Sequence, residues 1–515
     1  MLARLIASLV FATACAFASV ATAQDGRWYR AESANFIVYG DVNDQQVRNA
    51  AQSLEDFDLV LRALMRQAER PTETKLEVYL VRNIRGLRVV APGMSDDVGG
   101  FYTAGNDMIA AFSRYDRDMG LDRRTILFHE YAHHFMLHYF PAAYPGWYVE
   151  GFAEYVSTVE IVRRRATIGR PSDNRFAWLD VPGYEDFEIE HLIAPERVTR
   201  PTNLFMQQYY AYSWFAASYL SNTTERLRGL ERYVALLGEG GDPVQSFEPA
   251  FGITVEQFGE ELNQYRRGGG RSRLLHIDMP AEMAPITVTR LPRAANDLLL
   301  PLARLRTSSA DISDEDAAEI TQAAQPYIND PMARLVLARL AIRRGDNVGA
   351  RGHLDALFAM QENHPEGRYL LAKMILDETD ELSLEEVRAG LVEARRHLVR
   401  SFREDPNYYP TLYLYSLTFA GEYEPMSDDQ LEVLARALEL APQADHVRML
   451  LARELIRSEE YDAAVATLRP VIYAPHGGDS AMYARWLFDA AQAREQPQGH
   501  WRDRDTPAAV SDGAH

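Results

Sequence analysis

The residues best suited to chemistry are His129-Glu130-Tyr131-Ala132-His133, a run of the form H-E-x-x-H. On a helix, residues four apart lie on one face, one turn or roughly 6 Å along the axis. Two imidazoles so placed can both reach one tetrahedral ion. Glu130 lies one position off that ligand row, so it can touch a water at the ion without becoming a ligand itself. A third ligand decides whether such a pair is a metal site. Beyond His133, past Pro141, Pro145 and Gly146, comes Trp147-Tyr148-Val149-Glu150-Gly151-Phe152-Ala153-Glu154-Tyr155. The break lets the chain fold back, so that a second helix can run against the first. Glu150 then completes a His129, His133, Glu150 set with one position open for water, the arrangement of catalytic rather than closed structural zinc. Glu154 lies four residues on, on the same helix face, where a second carboxylate can accept the other ring N–H of a ligand histidine and fix its tautomer. Imidazole and carboxylate donors favour Zn2+. His134 and His138 are off the ligand face and read as packing residues. Glu130-x-x-His133 also matches half of a di-iron motif, but its counterpart Glu188-x-x-His191 follows Pro182-Gly183 and lacks a long apolar helix.

The elements that must position these residues can be read from periodicity. Phe36 to Tyr39 and Leu76 to Val81 read as strands, and Val47 to Leu64 between them carries apolar residues at helical spacing. Gly99 to Tyr102 and Met108 to Phe112 read as a hairpin around Ala104-Gly105-Asn106-Asp107. Helices are expected over 123–139, 147–162, 202–221, 226–237 and 255–267. Gly268-Gly269-Gly270 then reads as a domain edge, and 269–312 as a Pro-containing connector. Beyond it the chain is helical to about Arg494. Small residues recur at crossing points within Pro331–Pro365 and Ala444–Tyr473, a tetratricopeptide-like pattern over 313–495.

The run H-E-x-x-H followed by W-x-x-E-G-x-A-x-Y resembles the gluzincin metallopeptidases, in particular the M1-like or peptidase MA-like group. The resemblance spans roughly residues 30–268 and implies an α+β thermolysin-like zincin catalytic domain, here followed by an all-α tetratricopeptide-like helical repeat domain. It implies zinc on His129, His133 and Glu150, with Glu130 as general base. It also aligns Tyr210, in Tyr210-Ala211-Tyr212-Ser213-Trp214, with the family's transition-state tyrosine. The Gly99–Phe112 hairpin falls where that family places the edge strand that pairs with peptide. The G-x-M-E-N run of the M1 exopeptidases is absent, and Gly105-Asn106-Asp107-Met108-Ile109 stands in its place, which points to an endopeptidase.

Composition sets the outer bounds. Of 515 residues, 47% are apolar and 25% charged, so the chain can bury large cores, and a net charge of -20 argues against nucleic-acid or anionic-membrane binding. Residues 1–23 read as a signal peptide: Arg4, an apolar stretch from Leu5 to Val20, then Ala21-Thr22-Ala23 as cleavage site. The single cysteine, Cys15, lies within it. The domain reading is therefore a signal peptide to 23, a metallopeptidase-like domain over 24–268, a connector over 269–312, repeats over 313–495 and a disordered tail over 496–515. The expected protein is an exported zinc peptidase, secreted or periplasmic, acting on a peptide or protein. It has no membrane span after signal cleavage, and its repeats are free to take a protein partner. The alternative is an envelope scaffold working through its repeats, with a vestigial metal domain.

Overall fold

Strands and helices alternate at the start of the chain because its apolar pattern does. The computed structural model describes residues 25–498 except 68–71, 97, 106, 117–122, 180, 182–186, 199, 271–273, 280–284, 309–310, 379–382, 421–424 and 473–477. The expected signal segment with Cys15, and residues 499–515 of the expected tail, lie outside them. The strands are β1 (Asp25–Glu32), β2 (Phe36–Gly40), β3 (Leu76–Val81), β4 (Gly100–Ala104), β5 (Ile109–Arg114), β6 (Glu160–Val162), β7 (Arg165–Ile168), β8 (Leu275–Asp278) and β9 (Thr287–Pro292).

Six of them form one sheet in the order β4-β5-β3-β2-β1-β9, with β2, β3 and β5 mutually parallel and β4 an antiparallel edge. Alternation along β3 divides its side chains between two cores. Leu76, Val78 and Leu80 face the helix Asp44–Met65 and the motif helix Arg123–Tyr139. Tyr79 and Val81 face Ile84–Val90 and Ala295–Thr307 on the other side. The helix Asp44–Met65 starts on a capping box, in which the Asn43 side chain accepts from the Gln46 backbone while the Gln46 side chain accepts from the Asn43 backbone.

Two parts of the sequence reading need correction. The helix expected over 147–162 ends at Ser157, and a hairpin of β6 and β7 follows, turned through Arg163 and Arg164, both at positive φ. The segment 269–312 is not a connector. Its β9 pairs antiparallel with β1 and completes the large sheet, β8 pairs with β7, and Ala295–Thr307 packs on the sheet. The glycines at 268–270 therefore end the helix Val255–Arg267 and turn the chain back into the same body, with Gly269 and Gly270 at positive φ.

The rest of the described chain is helical. Consecutive helices pack in pairs, among them Pro331–Arg343 with Asn347–Met360, Pro365–Asp377 with Leu384–Glu404, Tyr409–Leu417 with Asp428–Leu440, and Asp445–Arg457 with Tyr461–Leu468. This array does not stand apart from the sheet. Leu412, Leu434, Ala437, Leu440 and Val447 share one apolar core with Phe128, Phe135 and Trp147. The protein is thus mostly helical, with a small sheet region, and part of the helical array packs on the side of the sheet that carries the motif helix. No helix of the described residues is long and apolar enough to cross a membrane.

Candidate metal centre

The motif helix is held by its apolar face. Phe128 stacks on Phe57, and the Tyr131 hydroxyl donates to Asp58 at 2.6 Å. His129 and His133 are thereby turned away from the core. The helix Gly146–Ser157 returns against them, buried along almost its whole length, and Gly151 is what lets it be crossed closely. A Cβ at Gly151 would lie 2.2 Å from the Ser213 carbonyl oxygen of the helix Asn203–Leu220, so only glycine permits this approach.

The structure brings the expected ligands together. His129 Nε2 lies 3.0 Å from His133 Nε2, and Glu150 Oε2 lies 3.5 Å and 3.6 Å from those two nitrogens. A tetrahedral zinc ion with bonds of ~2.0–2.1 Å sets its ligand atoms roughly 3.3 Å apart. The three donors therefore fit one such ion without rearrangement. They form the one such grouping of His, Cys and acidic residues among the described residues. Glu188 and His191 are instead 3.7 Å from each other, outside that grouping.

Glu154 Oε1 stands 3.5 Å from His129 Nδ1 and accepts from Arg175 at 2.6 Å. Arg175, which the sequence reading missed, also donates to Gln207 at 3.2 Å and lies over the Tyr210 ring at 5.3 Å. Its short helix Asp173–Phe176 carries no motif, so no local signal marks it. Tyr210 is half-buried and lines the same cleft as the three donors. Its neighbours face elsewhere: Tyr209 stacks on Phe205, and the Tyr212 hydroxyl donates to the Leu179 carbonyl. Burial raises the Tyr210 phenol above its ordinary range, and the Glu150 charge adds to the rise, so Tyr210 remains a hydrogen-bond donor.

Glu130 is buried beside edge strand β4. A Cβ on Gly100 would come within 3.3 Å of its Cγ, and the Tyr102 backbone bonds its carboxylate. Burial pushes the Glu130 carboxyl up to about 7; His129 opposes the rise, while Glu150 and Glu154 add to it. His134 and His138 lie off the site: they stack on each other, and burial lowers both.

These groups line a cleft of about 770 Å³. One wall is β4, whose outer edge pairs with no strand among the described residues. The helical array also lines it, through Gln443, Asp445 and Arg448. No signal in the sequence connects those residues with a motif some 300 positions earlier.

No protein-family model matches the chain, and no curated protein matches it. Among solved structures, a thermophilic TPR protein of Thermus thermophilus aligns at 22% identity with a TM-score of 0.32, covering 39% of this chain and 99% of that one.

Proposed function

We propose that the protein is a zinc-dependent peptidase with a thermolysin-like catalytic domain, hydrolysing peptide bonds within a chain, and that it works after export to the periplasm or the medium. The observation that carries this reading is the convergence of His129, His133 and Glu150 on one tetrahedral set, with Glu130 buried beside it. His129, His133 and Glu150 would hold the ion. When bound, zinc polarises a carbonyl and brings the pKa of water down toward ~7. Glu130 takes the proton of the attacking water and passes it to the leaving nitrogen. Tyr210 donates its hydroxyl to the oxygen that gains charge at the former carbonyl. Glu154 and Arg175 orient His129. The free edge of β4 offers backbone groups to an extended peptide, which favours a polypeptide substrate.

A scaffold with a vestigial metal domain has no use for a buried carboxylate one position off the ligand row, so the enzymatic reading is preferred. The test pairs metal analysis with digestion of a mixed peptide library. About one zinc per chain is expected, lost in His133→Ala, with cleavage lost in a zinc-replete Glu130→Gln protein. Full metal retention in the first variant, or undiminished turnover in the second, refutes the reading.

A further inference from the structure

We propose that Asp445, which belongs to the helical array and not to the sheet domain, binds a cationic group of the peptide substrate. This rests on the peptidase reading of the cleft and adds to it the charge class of what the cleft accepts. Four carboxylates line the cleft: Glu130, Glu150, Glu154 and Asp445. The first three are engaged. Glu150 faces both histidines, Glu154 is held by Arg175, and Glu130 sits against the Tyr102 backbone. Asp445 has no hydrogen-bond or ion-pair partner among the described residues.

Its position is nonetheless built. Asp445 opens the helix Asp445–Arg457, just after the turn Pro442-Gln443-Ala444. Gln443 anchors that turn on the catalytic side: its Oε1 lies 3.2 Å from His138 Nδ1, and its amide bonds the Tyr102 hydroxyl of β4. The carboxylate thus lines the same cleft as β4, the strand that an extended substrate would follow. Arg448, one turn on, acts on it through charge alone. The Arg448 guanidinium donates through its two terminal nitrogens to the carbonyls of Thr467, at 3.1 Å, and Pro442, its Nε has no hydrogen-bond partner, and it forms no ion pair with Asp445. The helix N-terminus favours a negative charge there, but the Asp445 side chain caps no backbone N–H. Burial pushes its carboxyl up to about 6 despite Arg448. A carboxylate to which the protein brings no donor is open to a charge-assisted bond from a cation brought by the ligand.

A lysine or arginine side chain and a peptide's terminal ammonium share the required chemistry. Full-length, zinc-loaded Glu130→Gln protein keeps the cleft while holding substrate uncleaved, so binding can be measured apart from turnover. Three families of otherwise identical peptides serve as probes: acetylated and uncharged, acetylated with a single lysine at successive positions, and uncharged with a free amine. A cationic family should bind about tenfold tighter than the neutral one. Adding Asp445→Asn should bring that ratio close to one, with zinc content and thermal midpoint unchanged. Asp445→Lys, a second variant, should turn the preference toward a glutamate-bearing peptide. Which cationic family wins identifies the source of the charge. Equal binding by all families, or a ratio untouched by Asp445→Asn, overturns the inference even if wild-type protein cleaves the peptides. Charge-selective binding without cleavage by wild-type protein instead removes the peptidase reading and leaves the cation site standing.

Discussion

The Arg339 guanidinium meets the Asp107 carboxylate at 2.8 Å across the junction between the helical array and the sheet, and both side chains are largely excluded from water. Asp107 lies between β4 and β5, where it also accepts from the Tyr369 hydroxyl at 2.5 Å, while the Tyr409 hydroxyl donates to the Gly105 carbonyl at 2.6 Å. Arg339 is shared with Glu366, which also pairs with Arg306. The helical array therefore grips the hairpin whose edge strand flanks Glu130. Breaking one member of a buried ion network leaves the others charged and unpaired, at about 3–5 kcal/mol. Arg339→Met should lower unfolding stability by that order in urea titration. Because both parts share one core, probes near the motif helix and in the array should unfold at the same urea concentration. Two separate transitions in the wild-type protein would show that the parts are energetically independent.

Glu154→Gln should weaken zinc binding without abolishing it. The Glu154 carboxylate stands between Arg175 and His129 Nδ1, and loss of a partner that orients a ligand costs ~10–100-fold in metal affinity. Competition against a chromogenic chelator measures this directly. Unchanged affinity would make Glu154 merely the ion-pair partner of Arg175.

Tyr210→Phe should lower kcat by ~10²–10³-fold, the usual cost of one oxyanion donor, with zinc content intact. Tyr209→Phe and Tyr212→Phe are internal controls, since their side chains face Phe205 and the Leu179 carbonyl. Tyr212→Phe should lower the thermal midpoint without touching kcat. The assignment fails if either control, and not Tyr210, carries the rate loss.

Gly151→Ala should both destabilise the fold and loosen the site. The added Cβ would stand 2.2 Å from a backbone oxygen, so one of the two helices must move. Overpacking of this kind costs about 1–3 kcal/mol. The residue before it is Glu150, the proposed ligand, so zinc affinity should fall together with thermal stability. A variant with a lowered melting point and wild-type zinc affinity would mean that the Asn203–Leu220 helix yields and the ligand helix stays put.

The sequence by itself determined the residues that stand on one helix or on its immediate return. His129, Glu130 and His133 are related by helical periodicity alone, and Glu150 and Glu154 by the same spacing after a proline-marked break. Short-range rules carry that information because a helix converts sequence separation directly into distance. The tertiary structure decided everything that depends on long-range pairing. Nothing local in Thr287–Pro292 says that it will pair with Asp25–Glu32, because a strand's partner is selected by backbone hydrogen bonds and by the face the sheet needs covered. The glycines at 268–270 look like a domain edge for the same reason: the positive φ of Gly269 and Gly270 is what a turn within a body and a link between bodies both require. Arg175, Gln443 and Asp445 were likewise invisible, having no fixed spacing from the motif. Gln443 and Asp445 reach the cleft because apolar helices of the array bury themselves against the motif helix, and Arg175 reaches it from the short helix Asp173–Phe176, which packs on Asn203–Leu220.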